Sequence, residues 1–501
     1  MIPFKEIKRE SFFLKVLGSC MLILAVGMLP SLIYDVIDGN DIRPFLYPII
    51  FLLIFGSLFT VFTRYPSMIN PIDGLLVIAL MWFSMVMIGS VPFMMTGLNF
   101  VDGLFESTSG ITTTGATILS DIEAWPRGML MWRSMMQWIG GITIILLFMF
   151  FLPMIGFGSR SLFGNEMSGS GSGNLSLRLK DAGTQFVKIY LEFSIALFLL
   201  LVVFGAPIYD SLCITFSTIS TGGFAPKGDS ISSYSPMIKL LVALFMFLGG
   251  TNFYIHYKAI YQKKFSSYIH NQEFLTMAMV VGVASIVTIF IISQEMGFNV
   301  DSIVDSIFTV VSASTTTGFA STDYSIWVNP LVALMFLIII IGGSSGSTAG
   351  GLKISRVIIL VKNAYNGLKS ALHPNAIYNI KLDNNTVDKN TVTSTVNLTI
   401  MFAMTLALGT AVFMMLGSEF ELSFTTTLAC LTTFGPSMGE FGPYGSYDAL
   451  PAFGKLFMCF LMIVGRLEFI TALIVFTPGF WREFMLSRRR MVKNPLRAFR
   501  H

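Results

Sequence analysis

Four short segments of the 501-residue chain carry the residue types best suited to hold an ion. The first runs from Asp102 through GLFESTSGITTT to Gly115, the second from Asp210 through SLCITFSTISTG to Gly223, the third from Asp305 through SIFTVVSASTTT to Gly318. In each, the Asp stands thirteen residues before the Gly. A fourth, LSFTTTLACLTTF before Gly435, keeps the Thr-rich approach but has Leu422 at the Asp position and Glu421 one place earlier. Asp102, Asp210 and Asp305 are expected to cap short helices, where a carboxylate satisfies free N–H groups and complements the dipole. The next ten or so residues make a helix of about 15 Å, half a bilayer. Its negative C-terminal end then faces the membrane midplane, where it stabilises a cation. The segments end in Thr113-Thr114-Gly115, Thr221-Gly222-Gly223, Thr316-Thr317-Gly318 and Thr433-Phe434-Gly435. Gly permits backbone angles that aim carbonyl oxygens at a shared axis. Four such strands make carbonyl rings that replace the hydration shell of a monovalent cation. Close helix packing by small residues would account for one such segment. It does not account for four, three of them with one Asp-to-Gly offset.

A second constellation lies in the apolar stretch 329–363. Its 35 residues would span about 52 Å as a helix, too long for one straight crossing. The lead Leu331–Ile341 covers only about 16 Å at the helical rise. The run Gly342, Gly343, Ser344, Ser345, Gly346, Ser347, Thr348, Ala349, Gly350 and Gly351 therefore begins near mid-membrane. Irregular backbone is tolerated there only when it faces protein or a water-filled pore. It follows the third short segment, which makes it a natural gate; the plainer reading is a Gly-rich kink. Arg466 falls about fifteen residues into another apolar stretch, and a charge at that depth is costly. Its five donors suit the carbonyls of a Gly-rich loop, so it is expected to latch the loop. Glu468 and Lys353 are possible partners for it, and a merely structural Arg466–Glu468 pair is the alternative. Lys353 and Arg356 follow the loop and are placed to repel cations when it is shut.

The elements that must position these residues follow from composition. Hydrophobic residues make up 54% of the chain and charged residues 12%, against roughly 25% charged in ordinary soluble domains. The mean hydropathy is +0.73. This excludes a disordered chain, a disulfide scaffold and a nucleic-acid binder, and leaves an all-α polytopic membrane protein. Ten spans of about 20 apolar residues are expected at 12–34, 45–63, 72–95, 128–153, 186–208, 235–260, 274–296, 329–363, 393–417 and 452–476. The four short segments fall between full spans, as re-entrant loops do. The chain thus reads as two leading helices (1–70), then four span–loop–span units: 71–160, 161–265 with a Gly/Ser linker at Gly164–Gly173, 266–375 with the gate loop, and 376–485. A basic tail, 486–501, closes it. Leu175–Tyr190 reads as an interfacial helix feeding the next span. Counting Lys and Arg on the two sets of loops puts both termini in the cytoplasm. Cys20, Cys213, Cys430 and Cys459 show no metal or redox spacing and read as buried packing. The four His residues are scattered, and no HExxH is present.

With these motifs the sequence resembles the bacterial Trk-type potassium-uptake pore subunits of the Trk/Ktr/HKT superfamily. The resemblance rests on the four segment ends, on Trp132-Arg133-Ser134 with Gln137-Trp138-Ile139-Gly140-Gly141, on the Gly342–Gly351 run, and on Gly465-Arg466-Leu467-Glu468. It covers essentially the whole chain, and the two leading helices favour the Trk branch. It implies potassium ions bound in the filter and a homodimer in the bacterial inner membrane, each protomer with its own pore. It also implies a separate cytoplasmic TrkA-type ring that binds NAD and ATP or ADP; nothing in this chain resembles a nucleotide fold, so no nucleotide is expected on it. Membrane lipid is the remaining partner, and nucleic acid is not one. The fourth loop departs from the family by Phe434 where an amide side chain such as Asn is expected. Gly115, where plant relatives that prefer sodium carry Ser, favours potassium. The leading expectation is therefore gated potassium uptake without enzymatic chemistry in this chain. A proton- or sodium-coupled symporter is the alternative, although such transporters normally show a twofold repeat. An intramembrane enzyme is the remote one, because no catalytic constellation is visible.

Overall fold

The structure is a computed structural model that describes residues 6–63, 71–150, 175–376, 378–383 and 385–493. The Gly164–Gly173 linker lies outside the described residues. Apart from a two-stranded antiparallel ladder, Lys381–Leu382 with Asn385–Thr386, the regular elements are helices. Two leading helices, Glu6–Asp38 and Arg43–Phe62, run against each other, and the first also packs on Arg127–Phe150. Gly18 and Gly56 let the two backbones approach: a Cβ on Gly18 would stand 2.9 Å from the Gly56 carbonyl oxygen. Buried Asp35 ties this pair to the body by accepting from the Gly128 N–H at 3.2 Å.

Four successions of long helix, short helix and long helix follow. The first is Pro71–Gly89 continued by Val91–Met95, then Phe100–Ile111, then Arg127–Phe150. The second is Leu175–Val203, Ile208–Ile219 and Pro236–Gly249 with Phe253–Ile260. The third is Gln272–Met296, Val300–Ser314 and Asn329–Ile341, with Ile354–Leu372 beyond the Gly-rich run. The fourth is Lys389–Met415, Phe420–Leu431 and Ala452–Arg466. Among the described residues seven helices are long and apolar enough to cross a membrane, or eight counting one bent pair.

The last helices of the four units start at Arg127, Pro236, Asn329 and Ala452, and thirteen residues on from each stand Gly140, Gly249, Gly342 and Gly465. Gly140, Gly249 and Gly465 receive the ends of short helices, whereas Gly342 lies against the Gly350 carbonyl. A Cβ on Gly140 would overlap the Ile111 carbonyl, one on Gly465 the Leu431 carbonyl, and one on Gly249 would sit 3.0 Å from the Ile219 carbonyl. At this level three of the four helices stop. Two expected spans are therefore corrected. The stretch 235–260 is not one helix, because Pro236–Gly249 and Phe253–Ile260 meet at 100°. The stretch 452–476 also breaks, after Arg466, where Glu468 takes a positive φ of 55°. Only in the first unit does the last helix run straight on past this level. Leu175–Tyr190 belongs to the continuous helix Leu175–Val203. The four cysteines are free and buried.

The close approach at Gly140 sets a test. Gly140→Ala forces its methyl into the Ile111 carbonyl, and overpacking of this kind costs about 1–3 kcal/mol. The thermal unfolding midpoint of the detergent-solubilised chain should fall accordingly, whereas Ala at Gly282, which is open and inside a helix, should not lower it.

Candidate functional site: four loops and the segment beneath them

The four short helices end in one shared backbone geometry. Thr113, Thr221, Thr316 and Thr433 have φ of 52°, 51°, 50° and 53°, and Gly115, Gly223, Gly318 and Gly435 have φ of 84°, 82°, 84° and 96°. The residue between them closes each helix with a long backbone bond. Thr114 N–H donates to the Ser109 carbonyl (2.9 Å), Gly222 to Ser217 (2.8 Å), Thr317 to Ser312 (2.9 Å) and Phe434 to Ala429 (2.9 Å). A hydroxyl before each left-handed Thr bonds one turn back: Thr112 to Thr108, Ser220 to Phe216, Thr315 to Val311 and Thr432 to Leu428. A left-handed Thr costs roughly 1–3 kcal/mol, so four copies of it are imposed by the surroundings.

The loops also touch in cyclic order. A Cβ on Gly115 would overlap the Gly222 carbonyl oxygen, one on Gly223 that of Thr317, one on Gly318 that of Phe434, and one on Gly435 that of Thr114. The chain of contacts closes on itself, first loop to second, third, fourth and back. Phe434 contributes its carbonyl to this ring. Its buried ring instead packs against Tyr324 with centroids 6.4 Å apart.

The Asp residues occupy other places than expected. The N-caps are Asn99, Pro207, Asn299 and Glu419, and the Asn99 and Asn299 side chains accept from Asp102 N–H and Ser302 N–H. Asp102 and Asp210 lie inside the first turn, and Asp305 lies beyond it because Val300–Ser314 starts earlier. Asn outcompetes Asp because it stands where the chain turns in and its carbonyl reaches N3. The carboxylates pair outward instead. Lys455 Nζ meets Asp102 at 2.7 Å, Lys239 Nζ meets Asp305 at 2.8 Å, and Asp210 accepts from the Tyr234 hydroxyl at 2.7 Å. Each lysine is the fourth residue of a unit's last helix and joins that unit to the next one round the ring.

Sequence reading uses Arg133 and Gln137 for the resemblance but gives no role to the residues that hold the loops. Glu106 and Arg133 form a fully buried ion pair at 2.6 Å. Glu106 also accepts from Thr117 Oγ1 and Ile118 N–H, just past the first loop. The Arg133 guanidinium lies 4.0 Å from the Phe224 ring centre in the second loop. Gln137 bonds to the second loop, and Tyr447 OH donates to the Gly435 carbonyl at 2.9 Å. The available signal was polarity at helical spacing in an apolar span: Arg133 and Gln137 stand four residues apart, on one face.

The run 342–351 folds under this ring. Gly342, Gly346 and Gly351 have positive φ, and the ends close together, with Leu352 N–H on the Ile340 carbonyl and Ile354 N–H on that of Gly343 (both 3.0 Å). Gly350 N–H donates to Thr316 Oγ1 at 2.6 Å, and its Cα lies against the Thr432 carbonyl so closely that a Cβ would overlap it. Thr348 Oγ1 reaches the carbonyls of Ile219 (3.1 Å) and Gly249 (3.0 Å). The break after Gly249 receives the run: Ser344 N–H donates to Gly250 and Phe253 N–H to Gly346. Ser344, Ser347, Thr348 and Ala349 are all buried.

Arg466 Nη1 donates to the Thr348 carbonyl at 2.7 Å, while its Nε and Nη2 have no partner among the described residues. Lys353 Nζ donates to the Ala349 carbonyl. Glu468 does not pair with Arg466; it meets Arg356 at 2.5 Å. The structural Arg466–Glu468 pair is thus replaced by an Arg356–Glu468 pair, because the helix ends at Arg466 and Glu468 turns away in the following loop.

The buried Glu106–Arg133 pair generates a stability test. Arg133→Gln leaves a buried carboxylate uncompensated, a loss of about 3–5 kcal/mol. Adding Glu106→Gln should recover much of the loss, read as unfolding midpoints of single and double variants.

A model of the TrkH family, described as cation transport protein, matches residues 45–482. The Trk system potassium uptake protein TrkH of Escherichia coli K12 is 32% identical over 82% of this chain and 86% of its own length. TrkH of Halomonas elongata is 29% identical over 94% and 99%. The crystal structure of the potassium transporter TrkH from Vibrio parahaemolyticus superposes with a TM-score of 0.85 at 27% identity, covering 94% of this chain and all of that one. The chain therefore belongs to the TrkH family of cation transport proteins, as a multi-pass membrane protein that transports rather than catalyses.

Proposed function

We propose that this chain takes up potassium ions through a channel-like pore in the bacterial inner membrane, with both termini cytoplasmic. Its filter consists of Thr113, Thr114 and Gly115, Thr221, Gly222 and Gly223, Thr316, Thr317 and Gly318, and Thr433, Phe434 and Gly435. The observation that carries this reading is the cyclic closure of four glycines onto four neighbouring carbonyls. Four backbone oxygens around one axis offer what a dehydrated monovalent cation needs, and potassium ions are the occupants this filter takes. The negative ends of four short helices add to that field. Relatives named as potassium uptake proteins supply the choice of ion. An inside-negative potential of 100 mV contributes about 2.3 kcal/mol per charge, so uptake needs no chemistry in this chain. Glu106, the buried acid nearest the loops, is tied to Arg133 and Thr117 and is not free to relay protons.

The run 342–351 is the gate in this proposal. It sits against Thr316, Thr432 and Ile219, directly at the inner ends of three loops. Arg466 is its latch, and Lys353 braces it from the other end. A single bond from Arg466 to a loop carbonyl is a hold that a partner can release. The partner in this reading is a cytoplasmic ring of the TrkA type that binds NAD and ATP or ADP, and the transporter works as a homodimer in lipid.

Two measurements test these assignments. Gly115 combines a φ of 84° with contact to the Gly222 carbonyl. Gly115→Ser should cut potassium-over-sodium permeability on the order of tenfold under bi-ionic conditions in proteoliposomes; an unaltered ratio removes the first loop from the filter. A hydrogen bond from a charged donor contributes about 1.5–3 kcal/mol. Arg466→Ala should therefore raise potassium flux without the regulatory partner by roughly tenfold or more. Flux that stays low and fully dependent on the partner would rule out the latch.

A further inference from the structure

Gln137 is fully buried in the helix Arg127–Phe150, and its side chain spans the second loop. Its Nε2 donates to the Gly222 carbonyl at 2.6 Å, and its Oε1 accepts from the Phe224 N–H at 3.1 Å. A primary amide offers one acceptor and one donor side by side. Here it matches a C=O and the N–H two residues later, as a neighbouring strand would. The contact is tight: a Cβ on Gly222 would collide with the Gln137 amide carbon and Oε1.

The position is exceptional within the chain's own repeat. Three residues after Gln137 stands Gly140, and the residues three before Gly249, Gly342 and Gly465 are Met246, Ile339 and Met462, all buried and apolar. The other loops are braced elsewhere. Glu106 takes Thr117 and Ile118 beyond the first loop, Ser312 Oγ donates to the Phe319 carbonyl beyond the third, and Tyr447 OH donates to the Gly435 carbonyl in the fourth. The ring itself is made by the carbonyls of Thr114, Gly222, Thr317 and Phe434. Among the described residues only the Gly222 member receives a hydrogen bond.

We propose that Gln137 is a specificity-determining positioning residue that makes the ring unequal by design: three carbonyls face the ion with full strength and the fourth is fixed and weakened. This rests on the filter reading above. A hydrogen bond occupies a lone pair of the Gly222 oxygen and draws charge from it. A ring of lower field strength favours the larger, less strongly hydrated of two monovalent cations, so the amide shifts preference from sodium toward potassium. It also holds Gly222 and Phe224 at fixed separation, which keeps the second loop from collapsing onto a smaller ion.

The test uses the residue that the second and fourth units carry at this position. Gln137→Met preserves bulk and removes both amide bonds. Bi-ionic reversal potentials are measured for the full chain in proteoliposomes, beside Gly115→Ser and the parent, with Gln137→Leu in place of the Met variant if the latter does not insert. We expect the potassium-over-sodium ratio to fall about fivefold or more in the Gln137 variant while potassium current persists. If Gly115→Ser alters the ratio and the Gln137 variant does not, the filter reading stands and this inference is wrong. A loss of total current at constant ratio also overturns it, since that is what a merely structural role produces. If neither variant moves the ratio, the filter reading itself fails and takes this inference with it.

Discussion

The hydrocarbon core of a bilayer gives the backbone no water to bond, so each N–H and C=O that leaves a helix there must find a protein partner. This chain leaves its helices at least seven times within its interior: at four loops and at three broken spans. The breaks answer one another. The run 342–351 donates Ser344 and Thr348 to the carbonyls exposed by the bend after Gly249, and takes Phe253 N–H in return. Gly350 N–H is met by a Thr hydroxyl of the third loop. Among the loop carbonyls that stand without a donor among the described residues are those of Thr114, Thr317 and Phe434. Inside a membrane such acceptors need a compensating cation or water, which is what the proposed filter supplies.

Charge is used in the same economical way. Lys239 and Lys455 occupy the same step of their helices, and each reaches the Asp of the following unit. The other two helices carry Val332 and Leu130 at that step. Where the fourth unit has Leu422 in place of Asp, the helix that would face it carries Val332. Donor and acceptor are both absent there, so no charge is buried unpaired, the outcome that would cost most. Arg133 and Glu106 do for the first unit what a local pair can do, and they do it directly behind a loop.

Much of this could be read from the residues. A ten-residue run rich in Gly and Ser inside an apolar stretch has few lawful positions in a membrane, which is why the interruption at Gly342 was legible. The short helices were legible from length and from the common Asp-to-Gly offset. Their caps were not, because Asn99 and Asn299 stand a few residues before the acids that drew attention. The left-handed Thr residues were hidden for another reason: Thr seldom adopts that conformation, and only the collective packing of four loops enforces it. The bend at Gly249 was only partly legible, from Asn252, which caps the helix after it. The Gly-Gly pair at Gly140 has no such cap after it and continues as helix, and the distant run 342–351 inserts at Gly249 and not at Gly140. Local capping and tertiary contact act together there.

The four loops lie on one polypeptide, and their central residues are Thr114, Gly222, Thr317 and Phe434, no longer alike. An assembly of four identical chains changes all four quadrants of its ring with each substitution. Here a single codon alters one quadrant and leaves three as they were. In the proposed filter, ion preference can therefore change in small steps, one quarter of the ring at a time.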